Sequence, residues 1–144
     1  MLVSGFMVPA EKVVKCSELD SINKVIDLIF ENRISAVVVA DKGGKPIGLV
    51  TKTELVQAYR AGTQISSQVG TVMKRELTKV QQTADRDGAA KALENAHEHH
   101  AIVVDSSDNF VGLISSWDIT AECAKDSRAW PWTRTADGHV HPIH

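Results

Sequence analysis

Two stretches of the chain share one order of apolar and polar positions. Each consists of a short apolar run, a turn rich in Gly, Ser, Asp or Asn, and a second apolar run that contains a glycine. This order predicts a hairpin of two buried strands. The copies cover residues 36–51 and 101–115. Equivalent positions lie roughly 64 residues apart, so the chain contains two supersecondary units and is not a long solenoid.

An amphipathic helix is predicted before each hairpin, because apolar residues recur there at spacings of three and four. Ser17 with Asp20 predicts the start of the first helix and Asn32 its end, while Asp85 or Asp87 starts the second. A further helix is predicted after each hairpin, near residues 52–60 and 116–124. The apolar stripes of the first two helices are Ile22, Val25, Ile26 and Ile29, and Ala89, Ala92, Leu93 and Ala96.

Short apolar segments at residues 13–16 and 77–80 predict one more strand ahead of each of the first two helices. The predicted fold is therefore α/β (α+β), with two β-α-β-β-α repeats. Neither repeat alone covers both faces of its sheet, so the two are expected to pack as a pseudo-two-fold pair. The predicted boundaries are 1–60 for the first repeat with its N-terminal segment, 61–68 for a linker, 69–125 for the second repeat and 126–144 for a tail.

Composition narrows the functional classes. The chain is 43% hydrophobic and 24% charged, which is typical of a folded domain. The net charge of −2 argues against a nucleic-acid partner. No apolar run approaches the roughly 20 residues that span a bilayer, and residues 1–6 do not resemble a signal peptide. Cys16 and Cys123 favour free thiols over a disulfide, and so a cytoplasmic location, or an organelle interior if a transit peptide was removed.

One motif occurs at the end of each predicted hairpin. It is aliphatic-Gly-aliphatic-aliphatic-Thr/Ser-x-x-acid, and it stands at residues 47–54 and 111–118. With the repeated strand and helix order, the motif resembles the tandem cystathionine β-synthase (CBS) domain pair, or Bateman module, over about residues 5–125. The segments 7–9, 72–73 and 33–37 agree with that resemblance.

The resemblance implies a non-catalytic regulatory module. Members bind AMP, ADP, ATP or sometimes S-adenosylmethionine in clefts between the repeats, and they usually form homodimers. It therefore implies an adenine nucleotide as ligand, no catalytic cofactor, and a possible regulated protein partner. A ligand-free dimerisation or scaffold module is the alternative function.

The predicted nucleotide site centres on Asp118. A carboxylate can accept hydrogen bonds from both ribose hydroxyls, and Ser115 can bond a ribose or phosphate oxygen. Helix capping by the same two side chains is the alternative. The resemblance places His99 and His100 near the phosphate, with a polar helix end as their alternative role. It also assigns base contacts to Val8, Pro9, Val14, Ile34, Ser35 and Ala36.

A second site is predicted at the equivalent positions of the other repeat. It comprises Thr51, Lys52, Glu54 and Ala101. Glu54 stands where the family pattern has Asp, and its longer side chain would displace the ribose. We therefore expect one good site at Asp118 and a second that is weaker or empty.

Other residue combinations give weaker predictions. His97 and His100 could share a metal if both lay on one helix, but no third ligand is evident and no metal site is predicted. No nucleophile elbow or glycine-rich phosphate loop occurs, so an enzyme is not predicted. Trp117 would line the cleft or face a neighbouring subunit. In the tail, Trp130-Pro131-Trp132 would pack against the module or anchor a partner, and the histidines at 139, 141 and 144 are expected in a disordered end.

Overall fold

The structure, a computed structural model, describes residues 1–125 and the backbone of 132–134 and 140–142. It confirms the predicted fold class of two β-α-β-β-α repeats. The first repeat contains β2 (Lys15–Cys16), α1 (Ile22–Asn32), β3 (Ala36–Ala40), β4 (Pro46–Thr51) and α2 (Lys52–Arg60), and is preceded by β1 (Val8–Pro9). The second contains β5 (Lys79–Gln81), α3 (Arg86–Ala96), β6 (His100–Val104), β7 (Phe110–Ser115) and α4 (Ser116–Ala124). An antiparallel pair, β8 (Trp132–Arg134) and β9 (Val140–Pro142), follows.

Two sheets with the same internal pairing form the centre of the molecule. Their strand orders are β2-β3-β4 and β1-β7-β6-β5. In each repeat the first strand runs parallel to the second, and the hairpin strands are antiparallel. The register shifts at equivalent places, between Val39 and Ala40 and between Val103 and Val104. The repeats therefore share their detailed backbone geometry as well as their element order.

The first helix begins later than its sequence predicts. Ser21 is the N-cap, and its hydroxyl accepts a hydrogen bond of 3.1 Å from the Lys24 N–H. The Ser17 and Asp20 prediction is wrong, because the Asp20 carboxylate accepts from the Ser17 N–H at 2.8 Å and forms a turn ahead of the helix. The predicted end at Asn32 is confirmed. In α3 the N-cap is Asp85, one of the two predicted candidates.

Buried side chains form three clusters. One lies under the helices of each repeat, and the third lies between the two sheets. The third cluster joins the repeats, because alternate residues of β3 and β6 point towards the other sheet. Its fully buried members are Ala36, Val38, Leu49, Ile102 and Val104.

The segment that precedes each repeat packs on the other repeat. The Val3 N–H donates to the Ala84 carbonyl at 2.8 Å, and the Val69 N–H donates to the Asp20 carbonyl at 2.7 Å. Val3 is fully buried in the core of the second repeat, and Val69 is fully buried in the core of the first. The chain thus exchanges its two entering segments between the repeats.

The same exchange extends each sheet by a short antiparallel contact. In β1, Val8 pairs with Leu113 of β7. At the equivalent place, Lys74 forms an isolated bridge to Leu49 of β4, with two backbone hydrogen bonds of 2.9 Å. Val8 and Lys74 therefore hold equivalent positions, although their separation along the chain exceeds the repeat length of roughly 64 residues by two.

A glycine in each hairpin makes this contact possible. A Cβ atom on Gly112 would lie 2.7 Å from the Val8 carbonyl oxygen and 2.5 Å from the Met7 sulfur. A Cβ on Gly48 would collide with the Met73 side chain. Gly112 therefore permits the close approach of β1 to β7.

The thiols are free, as predicted. Cys16 is buried and Cys123 half-buried, and neither forms a disulfide. Burial raises the pKa of the Cys16 thiol to about 11, so it stays protonated at neutral pH. Among the described residues, no helix has the length and apolarity to cross a membrane. Trp130, Pro131, His139 and His144, and the side chains of Trp132 and His141, lie outside the described residues.

Candidate functional site

Two clefts lie between the repeats, related by the pseudo-two-fold symmetry. The first cleft, next to the N-terminus of α4, has a volume of about 680 Å³. The second cleft, next to the N-terminus of α2, has a volume of about 740 Å³. The structure brings most of the residues predicted for the main site to the first cleft, namely Val8, Val14, Ile34, Ser35, Ala36, His100, Ser115 and Asp118. The predicted Pro9 and His99 do not line it.

Asp118 caps α4 and also faces the first cleft. Its Oδ2 accepts hydrogen bonds from the Ser115 N–H (2.8 Å) and hydroxyl (3.0 Å). The Ser115 Oγ in turn accepts from the Asp118 N–H at 3.2 Å, which completes a capping box. Within residues 1–125, Oδ1 has no hydrogen-bond partner, and Asp118 is half-buried. One carboxylate oxygen thus caps the helix while the other can accept from a ligand.

Apolar side chains line the first cleft beside this carboxylate. Arg33 ends α1 with a left-handed backbone (φ 53°), and the Ile34 N–H returns to the Ile29 carbonyl at 3.2 Å. This turn brings the next residues to the cleft wall. Val8 reaches the same wall only through the exchanged segment. The apolar side chains are Val8, Val13, Val14, Ile29, Phe30, Ile34, Ala36, Leu113 and Trp117, of which Val13, Ile29, Phe30 and Leu113 were not predicted.

Three cations also line the first cleft. Lys12, Arg33 and Lys52 are exposed, and Asp118 is the one acidic residue among the described lining residues. None of the three was predicted there, since Lys52 was assigned only to the second site. Arg33 could have been found, because it lies at the predicted junction of helix and strand. Lys12 lies in the 3₁₀ turn Ala10–Lys12, and the shorter connection from Lys74 to β5 in the other repeat contains no such turn.

His100 lies at the boundary and lines both clefts. Its Nε2 is 3.0 Å from the Ser35 hydroxyl. Burial lowers the pKa of His100, and neighbouring His99 lowers it further, while Asp118 and Glu54 partly oppose the shift. His100 is therefore neutral at pH 7 without an added anion.

His99 lines only the second cleft, where its Nδ1 is 3.3 Å from the Ser116 hydroxyl. The suggestion that His97 and His100 could share a metal from one helix is wrong. His97 is the left-handed C-cap of α3, and His100 begins strand β6. Residues 1–125 contain no group of three side chains arranged to hold a metal ion.

The second cleft contains three of its four predicted residues: Thr51, Lys52 and Glu54. Glu54 is only 8% exposed, and its Oε1 accepts from the Thr51 N–H and hydroxyl, both at 2.7 Å. Ala101 is 1% exposed and does not line the cleft, so that prediction is wrong. Its side chain points into the core from β6, whereas the neighbouring His100 faces the cleft.

The two clefts differ in side-chain chemistry at two pairs of equivalent positions. Glu98 occupies the position equivalent to Ile34, and Lys74 the position equivalent to Val8. The Lys74 ammonium and the Glu98 carboxylate form a half-buried ion pair. The second cleft thus has an ion pair where the first has two aliphatic side chains. This ion pair was not predicted from the sequence.

A known protein family matches this chain. The CBS domain family model matches residues 3–61 and 69–125, and the chain belongs to that family. An inosine-5′-monophosphate dehydrogenase from Nitrosopumilus maritimus is 28% identical over 123 residues, which is 82% of this chain and 25% of that enzyme. The chain therefore spans about a quarter of the length of this curated relative.

Solved structures show the same fold. A CBS domain pair in complex with 5′-methylthioadenosine and S-adenosyl-L-methionine superposes with a TM-score of 0.79 at 18% identity, over 88% of this chain and 98% of the other. A CBS domain protein from Pyrobaculum aerophilum in complex with AMP gives 0.73 at 20% identity, over 87% and 99%.

Proposed function

We propose that this chain is a non-catalytic regulatory module that binds one adenine nucleotide, such as AMP, ADP or ATP, in the first cleft. The observation that carries the proposal is the combination, in that cleft, of an apolar wall, a carboxylate oxygen with no partner in residues 1–125, and three cations. These three features match the base, the ribose and the phosphate of one ligand.

Each part of the nucleotide has a physical reason to bind. The purine loses contact with water against Val8, Val14 and Ile34, which is favourable for a flat, largely apolar ring. The ribose hydroxyls donate to the Oδ1 of Asp118 in charge-assisted bonds, each worth about 1.5–3 kcal/mol. The phosphate is attracted to the three cations. Neither Pro9 nor His99 lines the first cleft.

Relatives support adenosine as the common element of the ligand. One solved CBS pair is described with AMP, and another with 5′-methylthioadenosine and S-adenosyl-L-methionine. All three molecules contain adenosine, so S-adenosylmethionine remains a candidate. We propose no catalytic activity, because the chain matches only a quarter of the length of the inosine-5′-monophosphate dehydrogenase relative. The free thiols of Cys16 and Cys123 are consistent with a cytoplasmic location or an organelle interior, which we also propose.

Calorimetric titration of the folded full chain with AMP, ADP, ATP and S-adenosylmethionine tests this function. We expect saturable binding of one ligand per chain. Asp118→Asn should weaken it by at least about tenfold, because a neutral amide loses about 1.4 kcal/mol or more of charge-assisted bonding. Ser115 remains the N-cap of α4, and the asparagine amide oxygen can still accept from the Ser115 N–H, so the fold should survive. The matched control is Asp87→Asn, which alters an exposed residue of α3 remote from both clefts.

Two results would refute the proposal. One is unchanged affinity in Asp118→Asn. The other is failure of every ligand to bind wild-type protein that is folded and free of nucleotide.

A homodimer is the second part of the proposed function. The outer face of α4 bears an uncharged row at helical spacing, formed by Trp117, Thr120, Ala121 and Ala124. On α2, Val56 and Tyr59 are 66% and 88% exposed, and Trp117 is 77% exposed. Such a surface favours burial against a second copy of the chain.

Sedimentation equilibrium tests the dimer, and we expect Ala121→Glu to convert it to a monomer. The same surface favours the alternative function, a ligand-free dimerisation or scaffold module for a partner protein. That function predicts a dimer without any nucleotide response. The proposed regulatory module predicts both a dimer and a response to nucleotide.

A further inference from the structure

The two clefts adjoin each other. Five residues line both of them: Ser35, Lys52, His100, Ser115 and Trp117. The ribose-binding carboxylate of Asp118 lies in the capping box of Ser115, directly beside this boundary. A chain of phosphates that leaves a ribose held there therefore starts beside residues that also line the second cleft.

The second cleft is poorly suited to a base of its own. A purine in the symmetric position would have to lie where the Lys74 and Glu98 side chains meet. Separating this half-buried pair leaves two charges with reduced solvation, which is costly. The carboxylate available to a second ribose would be that of Glu54, which is 8% exposed. Both the base position and the ribose position are therefore obstructed.

The same cleft is well suited to phosphate. Lys52 provides an ammonium group, His99 and His100 provide ring nitrogens, and the Lys74 ammonium keeps N–H donors beyond its bond to Glu98. The two acidic side chains present are already engaged, since Glu98 pairs with Lys74 and Glu54 caps α2. A phosphate beside the neutral imidazole of His100 would favour its protonation and so strengthen its own binding.

We infer that the second cleft receives the phosphate chain of a nucleotide whose base lies in the first cleft, and that it binds no base itself. This inference rests on the proposed function and narrows it. The preferred ligand is an adenosine di- or triphosphate, bound once per chain. The single phosphate of AMP reaches only the boundary residues.

Titrations of the full chain with sodium AMP, ADP and ATP, without divalent cations, test this inference. We expect one site for each ligand and an affinity that increases with phosphate number, with ATP at least about tenfold tighter than AMP, or about 1.4 kcal/mol. In His99→Gln the affinity for ATP should fall several-fold while that for AMP is unchanged. Lys79→Gln, which removes an exposed lysine outside both clefts, should change neither affinity.

The outcomes separate this inference from the proposed function. Equal affinity for AMP and ATP, or two nucleotides bound per wild-type chain, overturns the inference and leaves the proposed function intact. Failure of all three ligands overturns both.

A gain of a second site provides an independent test. The double variant Lys74→Val/Glu98→Ile recreates in the second cleft the pair Val8 and Ile34 of the first. We expect it to bind two AMP molecules per chain instead of one, and to lose most of the preference for ATP. A variant with a cooperative unfolding transition like that of the wild type that still binds one AMP, with the preference for ATP retained, would contradict the inference.

Discussion

Replacing Gly112 by alanine tests whether the exchanged N-terminal segment stabilises the fold. The added Cβ would stand 2.7 Å from the Val8 carbonyl oxygen, so β1 must move away from β7. Overpacking of this kind costs about 1–3 kcal/mol. Weakening the contact between β1 and β7 adds about 0.5–1.5 kcal/mol for each hydrogen bond affected. The lower backbone entropy of alanine returns only about 0.5–1 kcal/mol.

The expected net loss is therefore about 1–3 kcal/mol in the free energy of unfolding. Urea denaturation followed by circular dichroism measures it, with the urea dependence of that free energy unchanged. Gly43→Ala is the matched control, because the added Cβ meets only the Asp41 Oδ1, at 3.4 Å. It should alter stability by no more than about 0.5 kcal/mol. If Gly112→Ala proves as stable as the control, the close contact is not required and the reasoning fails.

Two further predictions concern the core and a buried histidine. Ile114→Ala should cost about 2–5 kcal/mol, because Ile114 is fully buried, whereas Leu19→Ala at a 66% exposed position should change stability by no more than about 0.5 kcal/mol. The folded pKa of His100 lies below its ordinary value of 6.5. As pH falls below 6.5 the unfolded chain binds the proton first, so wild type should lose stability relative to His100→Ala between pH 7.5 and 5.5. Urea midpoints at the two pH values measure this difference, and an equal difference at both would contradict the assigned burial of the ring.

The two hairpins and the helices that follow them could be predicted because their determinants are local. Apolar runs, turn residues and the repeated motif all lie within a few residues of the structure that they specify. The bounds of α2 and α4 agree with those predicted. The start of α1 was mispredicted because both Ser17 and Ser21 are good caps, and only the path of the chain before the helix decides between them.

The residues predicted for the candidate site came from the motif and from the family resemblance. The motif identified Asp118 and Ser115, which depend on the local capping box. It missed Lys12 and Arg33, because their place in the cleft depends on packing between distant segments. The error at Ala101 is a shift of one residue along β6, which moves a side chain from one face of the sheet to the other.

The ion pair of the second cleft could not be predicted without knowledge of the exchanged segments. Glu98 is separated from Ile34 by the regular repeat length, so sequence comparison alone could pair them. Lys74 is offset by two additional residues from Val8, and only the shared contacts with β4 and β7 show that the two are equivalent. The difference between Val8 and Lys74 thus lies in the exchanged segments, and local sequence patterns do not reveal it.

The exchanged segments also bear on how such a chain could arise by duplication. A single ancestral unit would carry its entering segment but would have no second sheet to receive it. Two identical units could satisfy both sheets only by swapping these arms across a dimer. Joining two copies in tandem turns that intermolecular swap into an intramolecular one, and it removes the dependence on protein concentration. Once joined, the two arms can diverge separately, and in this chain one carries Val8 and the other Lys74.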